Sequence, residues 1–202
     1  SAAPLVPGSQ TSESAREVTD PADRRRVVGH SRSADAATLQ LALRNAVAAQ
    51  PEWNALPAAS RAKILEHAAD TLEARRAVFI ALCVREAGKP IPAAIAEVRE
   101  AADFCRYYAT MARKLFAQPE TLPGPTGESN ALHLHGRGVF VCISPWNFPL
   151  AIFMGQVVAA LAAGNSVIAK PADQTTLIGH AAVKLLHEAG VPEAVLQFVP
   201  CK

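Results

Sequence analysis

An asparagine fenced by two prolines, in Ser144-Pro145-Trp146-Asn147-Phe148-Pro149, ends the apolar run GVFVCI. Proline cannot continue a sheet ladder and biases the residue before it away from helix, so the chain stops sharply there with one amide side chain held at the stop. Two roles suit that amide. It can donate an N–H to a developing oxyanion, an interaction whose loss typically costs roughly 3–4 kcal/mol in a transition state. It can equally cap the helix that follows. A second loaded turn, Lys170-Pro171-Ala172-Asp173-Gln174-Thr175, follows the apolar run SVIAK. An ammonium donates to sugar hydroxyls and a carboxylate accepts from them, which suits a ribose; alternatively Asp173 or Thr175 only caps the next helix. Neither turn carries GxGxxG, which taken alone argues against a conventional pyrophosphate cradle.

The elements behind these turns read strand GVFVCI, helix LAIFMGQVVAALAAG, strand SVIAK, helix TLIGHAAVKLLHEAG, strand AVLQFV. Apolar strands alternating with helices predict a parallel βαβαβ sheet covered on both faces, with ligands beyond the carboxyl ends of the strands. Gly164 and Gly190 sit where helix-ending glycines belong. Upstream, ALHLHGRGVFVCI reads as a strand, the turn HGRG and a buried strand. His133 and His135 fall on one strand face, but without a third ligand in sight they make a poor metal site.

The first part of the chain is helical. Ser33 is placed to cap a helix through Leu39, Leu43 and Val47 that Pro51 ends. Leu65, Ala68, Leu72, Phe79 and Leu82 predict one long helix, with Arg61, Lys63, Glu66, Asp70 and Glu73 on other faces and a Gly88–Pro90 stop. The next helix carries the stripe Ile91, Ile95, Val98, Ala102, Cys105, Ala109, Ala112 and Phe116. A second stripe, Glu97, Glu100, Phe104 and Tyr107, predicts a helix covered on both sides with partly enclosed carboxylates; the plainer reading is a solvated face. Residues 1–33 read as an extended arm with a short strand at VVGH, and residues 34–202 as a single α/β unit, the part that the resemblance given below makes a partial NAD-binding domain. Within it, helices span 34–117, a strand excursion 129–141 and the βαβαβ unit 138–199.

Length and composition bound the function. The 202 residues are half hydrophobic with a net charge of +2, which suits one globular domain and offers no nucleic-acid surface. The run Arg24-Arg25-Arg26 follows Asp20 and Asp23 and reads as a solvated turn. No apolar run reaches membrane-span length and the N-terminus lacks a secretory apolar region. The four cysteines lack CxxC spacing, and three of them lie inside apolar segments, which fits small core residues in a reducing, cytoplasmic setting.

GVFVCISPWNFPLAIFMGQVVAALAAGNSVIAKPADQT resembles the N-terminal part of the NAD-dependent aldehyde dehydrogenase superfamily. REAGKPIPAAIAEVREAADFCRYYA and SPWNFPLAIF are similar, more narrowly, to the 1-pyrroline-5-carboxylate (glutamate semialdehyde) dehydrogenase domain of bifunctional bacterial proline-utilisation proteins. The resemblance runs from DPADRRRVVGH to LQFVP and implies a Rossmann variant without the glycine fingerprint, with NAD as cofactor. It assigns Asn147 to the oxyanion and Phe148 and Glu100 to the substrate. Ile143, Ser144, Pro145 and Trp146 would lie along NAD. Lys170, Pro171, Ala172 and Asp173 would lie at its ribose, Asp173 standing where many members carry glutamate. The family's nucleophilic cysteine and general-base glutamate lie downstream of the third strand, beyond FVPCK, so the 202-residue chain alone is expected to be inactive. Cys142, in a strand and without a basic partner, is not expected to replace that nucleophile. The expected partners are a small aldehyde, the remainder of the same enzyme, a proline dehydrogenase domain upstream and further copies in a homo-oligomer. The other reading is a short homologue acting as a binding or assembly module through the strand excursion.

Overall fold

The computed structural model describes residues 1–10 and 13–201. Thr11 and Ser12, within the N-terminal arm, and Lys202, at the end of FVPCK, lie outside the described residues. A hairpin, β1 (Arg16–Asp20) and β2 (Asp23–Ser31), precedes the helices α1 (Ala36–Ala55), α2 (Ala58–Ala74), α3 (Arg76–Ala87) and α4 (Ile91–Phe116). A second small hairpin, β3 (Glu120–Leu122) with β4 (Asn130–Leu132), leads into β5 (Val139–Ile143), α5 (Ala151–Ala162), β6 (Ser166–Lys170), α6 (Thr176–Ala189) and β7 (Leu196–Phe198). Strands β5, β6 and β7 form the parallel sheet, in that order. The fold is α/β: a helical N-terminal segment followed by a βαβαβ unit.

Residues near the N-terminus are tied to this sheet. Leu5 exchanges both backbone hydrogen bonds with Phe198, at 3.0 and 3.2 Å, and so covers the β7 edge. Edge strands need such covering because their unpaired groups otherwise recruit other strands. The β5 edge has no such partner among the described residues, and Val141 and Ile143 are 59% and 65% exposed. The expectation of a fully buried strand there is corrected: only Cys142 of β5 is buried, with Val139 partly buried against the core. Strand β6, by contrast, buries Ser166–Ala169 completely.

Helix α1 corrects the sequence reading twice. Asp35, not Ser33, is its cap, accepting from Thr38 N at 2.7 Å. The helix also passes through Pro51, because its last turn is held elsewhere: Gln50 Nε2 donates to Gly164 O at 3.0 Å and Trp53 Nε1 to Leu161 O at 3.0 Å. Leu39, Leu43 and Val47 are 46%, 49% and 57% exposed, whereas Ala42 and Ala46 are buried. The face against β6 and β7 is the one with small side chains. Ser166 Oγ reaches Ala46 O and Gln197 Nε2 reaches Ala42 O, at 2.8 and 2.7 Å, and bulkier residues would hold the helix off.

The single helix predicted around Leu65 and Phe79 is broken at Arg75 into α2 and α3. Arg61, expected on a face other than the apolar one, is buried and donates to Trp53 O, Asn54 O, Leu56 O and Ala162 O. A cation there meets the free carbonyls that end α1 and α5. Helix α4 packs against α2 and α5, and of its second predicted stripe only Glu97 is buried, Phe104 being half-buried. Ala94, Glu97, Val98, Ala101, Ala102 and Cys105 are inside, while Ile91, Ile95, Glu100 and Tyr107 are exposed.

Candidate active site

The two chemically loaded turns lie side by side because the strands that deliver them are register partners. Ile143 pairs with Lys170, and Ser144 N continues the ladder to Lys170 O at 3.1 Å. From there Trp146, Asn147 and Phe148 turn outward and are exposed, before Pro149 and Leu150 bury the chain again. Ser144 is buried, its hydroxyl donating to Gln156 Oε1 at 3.3 Å; Pro145 is half-buried. On the second turn Lys170, Ala172 and Asp173 are half-buried and Pro171 is buried. The Lys170 ammonium donates to Pro171 O at 3.2 Å.

Neither turn caps its own helix. The Asn147 side chain makes no hydrogen bond among the described residues, and no side chain of the preceding loop caps α5. Instead Glu97 of α4, 1% exposed, accepts Leu150 N at 3.2 Å and Ala151 N at 2.8 Å through Oε2. Its Oε1 accepts from Lys89, which lies in the loop between α3 and α4. The same ammonium sits 4.4 Å from the centre of the Phe148 ring, a cation–π contact. Capping of α5 by Asn147 is therefore excluded, and the amide is left free for another partner.

Helix α6 repeats the arrangement. Thr175 makes no side-chain cap, and Glu86 of α3 accepts Leu177 N and Ile178 N at 2.6 and 2.8 Å. Burial pushes the Glu86 carboxyl up to about 7, with Leu177 N–H, Ile178 N–H and Arg16 pulling the other way. Asp173 does not cap either. It accepts from Arg16 of β1 at 2.8 Å, so its carboxylate is already half-engaged. With both helix N-termini filled by glutamates, an anion has no place on them, and the missing glycine fingerprint has a structural counterpart.

None of the three buried cysteines is poised as a nucleophile. Burial pushes the thiols of Cys83 and Cys105 up to about 12 and that of Cys142 up to about 11. Cys201 is half-buried at the end of the described chain. His133 and His135 follow β4 outside any strand with their rings parallel and 6.1 Å apart. No group of three metal-ligating side chains occurs among the described residues. No helix among them is long and apolar enough to cross a membrane.

An aldehyde dehydrogenase family model matches residues 8–202. The chain belongs to the aldehyde dehydrogenase family. Among curated relatives, bifunctional protein PutA of Klebsiella aerogenes is 49% identical over 183 residues, 91% of this chain and 13% of that protein. The 1-pyrroline-5-carboxylate dehydrogenase of Bacillus subtilis (strain 168) is 36% identical over 199 residues, 98% of this chain and 38% of that enzyme. The chain thus spans well under half the length of either relative. A solved 1-pyrroline-5-carboxylate dehydrogenase from Thermus with bound NAD superposes on the whole chain with a TM-score of 0.93 at 35% identity, matching 39% of that chain. The sequence reading missed the glutamates behind the loaded turns. Glu86 had a signal: a carboxylate in the last turn of α3, before the Gly88 stop, opposes the helix dipole unless something else holds it. Glu97 was on the covered stripe. Lys89, in a loop, had no periodicity to reveal it.

Proposed function

We propose that this chain supplies the oxyanion donor and part of the cofactor wall of a 1-pyrroline-5-carboxylate dehydrogenase, which oxidises L-glutamate 5-semialdehyde to glutamate in proline catabolism. The observation that carries the reading is Asn147, exposed and without a side-chain hydrogen bond among the described residues, at the carboxyl end of β5, where an open α/β sheet binds its ligands. Its amide N–H donates to the oxyanion formed when a thiolate adds to the aldehyde carbon. The buried thiols of Cys83, Cys105 and Cys142 are held protonated and do not supply that thiolate. Phe148 and Glu100, both exposed, line the substrate side.

The residues fit NAD. Ile143 is the register partner of Lys170 and Ser144 N donates to Lys170 O, so the turns at 144–146 and 171–173 leave the sheet from the same edge and together supply the wall for NAD. Lys170 serves as hydroxyl donor for a ribose and Asp173 as acceptor, the latter shared with Arg16. When bound, NAD supplies the hydride acceptor. A proline dehydrogenase domain in the same protein, and assembly of several copies, belong to the same proposal and draw on the bifunctional relatives.

The test is Asn147→Ala in the complete protein. We expect kcat with the semialdehyde to fall about 10²- to 10³-fold while NAD binding is kept. An unchanged kcat would refute the role of Asn147.

A further inference from the structure

The Asn147 turn is fastened on both sides, and one buried charge pair makes the second fastening. Before Asn147, Ser144 N is tied to Lys170 O at 3.1 Å. After it, both oxygens of Glu97 are used: Oε2 takes Leu150 N and Ala151 N, and Oε1 takes the Lys89 ammonium. Lys89 in turn lies 4.4 Å from the Phe148 ring centre. One carboxylate thus holds the first turn of α5, and its counter-ion holds the residue next to Asn147. The Lys89 and Glu97 side chains are 15% and 1% exposed, so solvent does little to screen them.

The loop that brings Lys89 here is itself fixed. Gly88 adopts φ +66°, and a Cβ on it would meet Pro21 Cγ at 2.9 Å. Lys89 N donates back to Cys83 O at 3.1 Å, closing the end of α3 over the start of α4. The ammonium is therefore delivered from a fixed corner, whereas the Asn147 side chain has no hydrogen bond among the described residues to hold it. An unanchored donor must be placed by its backbone. That backbone is set by Ser144 on one side and by Phe148, Leu150 and Ala151 on the other.

Building on the assignment of Asn147 to the oxyanion, we propose that Lys89 and Glu97 are positioning residues for it, acting through Phe148 and the first turn of α5. The amide N–H is useful only where the oxyanion forms, and displacement by about 1 Å typically costs on the order of 100-fold in rate. Lys89 does not touch the reacting atoms. Its contribution lies in where Asn147 stands.

The experiment is a double-mutant cycle in the complete protein, with Lys89→Met, Asn147→Ala and the double variant, reading kcat for the semialdehyde and KM for NAD. Lys89→Met alone is expected to lower kcat about 10- to 100-fold with KM for NAD within about twofold. In the Asn147→Ala background the same change is expected to cost less than about twofold, because the group it positions is gone. Lys89→Arg, which keeps a cation against Glu97 and Phe148, is expected to retain kcat within about threefold and serves as the folding-competent comparison. A Lys89→Met enzyme with unchanged kcat, or one that loses the same factor in both backgrounds, would overturn the positioning role. If Lys89→Met does not fold, Glu97→Gln is put through the same cycle, since it keeps an oxygen for the helix N–H groups. A kcat loss confined to the background with Asn147 intact then supports the positioning role, and an unchanged kcat or an equal loss in both backgrounds overturns it. An Asn147→Ala enzyme that keeps full kcat would instead sink the oxyanion assignment, and the positioning role with it. That result is read from the Asn147 variant alone.

Discussion

The units β5–α5 and β6–α6 are built alike and finished differently. Each strand ends in a polar turn, each helix starts without a cap of its own, and each N-terminus is met by a buried glutamate from the helical layer. The company those glutamates keep is what differs. Glu97 has Lys89 as a direct counter-ion, and the pair reaches forward to Phe148. Glu86 has no such partner in contact among the described residues; Arg16 acts on it from a distance while pairing with Asp173. The first turn, which presents Asn147, is therefore held by a neutralised charge pair. The second holds a carboxylate that burial drives toward its protonated form.

Removing each glutamate should expose that difference most strongly. Glu97→Ala leaves two helix N–H groups unserved and strands the Lys89 ammonium in a nearly closed site, a loss that typically costs about 3–5 kcal/mol. Glu86→Ala leaves two N–H groups unserved but strands no cation, since Arg16 keeps Asp173; about 1–3 kcal/mol is expected. Denaturant unfolding of the two variants checks this. Equal losses would mean that Lys89 adds nothing to the first unit.

A second contrast lies in pH. Glu86 is raised from 4.5 to about 7 in the folded protein, so the stability it contributes is complete below about 4.5 and is lost as pH rises toward 7. His180, one turn into α6 and edge-on to Phe198, is lowered from 6.5 to about 4, chiefly by burial and then by Lys184, the N-terminal amine and His187. Its contribution is complete above about 6.5 and is lost as pH falls toward 4. The two slopes oppose each other between those limits, each worth about 3 kcal/mol in all. Glu86→Gln should therefore leave a protein whose stability drops steadily on acidification from pH 6.5. His180→Phe should leave one whose stability drops on going from pH 4.5 to 7. Thermal melts across this range decide it, and parallel profiles for the two variants would contradict the assignment.

The same units show what a sequence can and cannot disclose. The βαβαβ order, the glycines ending α5 and α6, and the outward turn at Asn147 were all legible, because each follows from local pattern: apolar runs, a φ only glycine adopts readily, proline on either side. The burial of Arg61 and the caps Glu97 and Glu86 were not. These side chains act on elements 53 to 101 positions away, and no local period records where a helix end from elsewhere will arrive. Both local capping readings, Asn147 for α5 and Asp173 or Thr175 for α6, failed for this one reason. Similarly, Leu39, Leu43 and Val47 had the right spacing for a core face, but packing against β6 and β7 selected the alanine face for its closeness.

The C-terminal ends of α5 and α6 carry the finest version of the comparison. Gly164 and Gly190 both stand in the left-handed region, at φ +86° and +116°. Either substitution by alanine incurs the backbone cost of that region, about 1–2 kcal/mol. Their surroundings separate them. A Cβ on Gly190 meets nothing nearer than Ile64 Cγ1 at 3.5 Å, an ordinary contact. A Cβ on Gly164 meets Asn54 Oδ1 at 2.6 Å, and that oxygen already accepts Gly136 N at 2.7 Å. To make room, Asn54 must swing away and leave Gly136 N without its acceptor, adding about 1 kcal/mol to the backbone cost. Gly164→Ala should thus be the more damaging by that margin. Because Asn54 fixes the chain just before β5, the extra loss should vanish when Gly164→Ala is made on top of Asn54→Ala, and a margin that survives in that background would place the cost in the backbone alone.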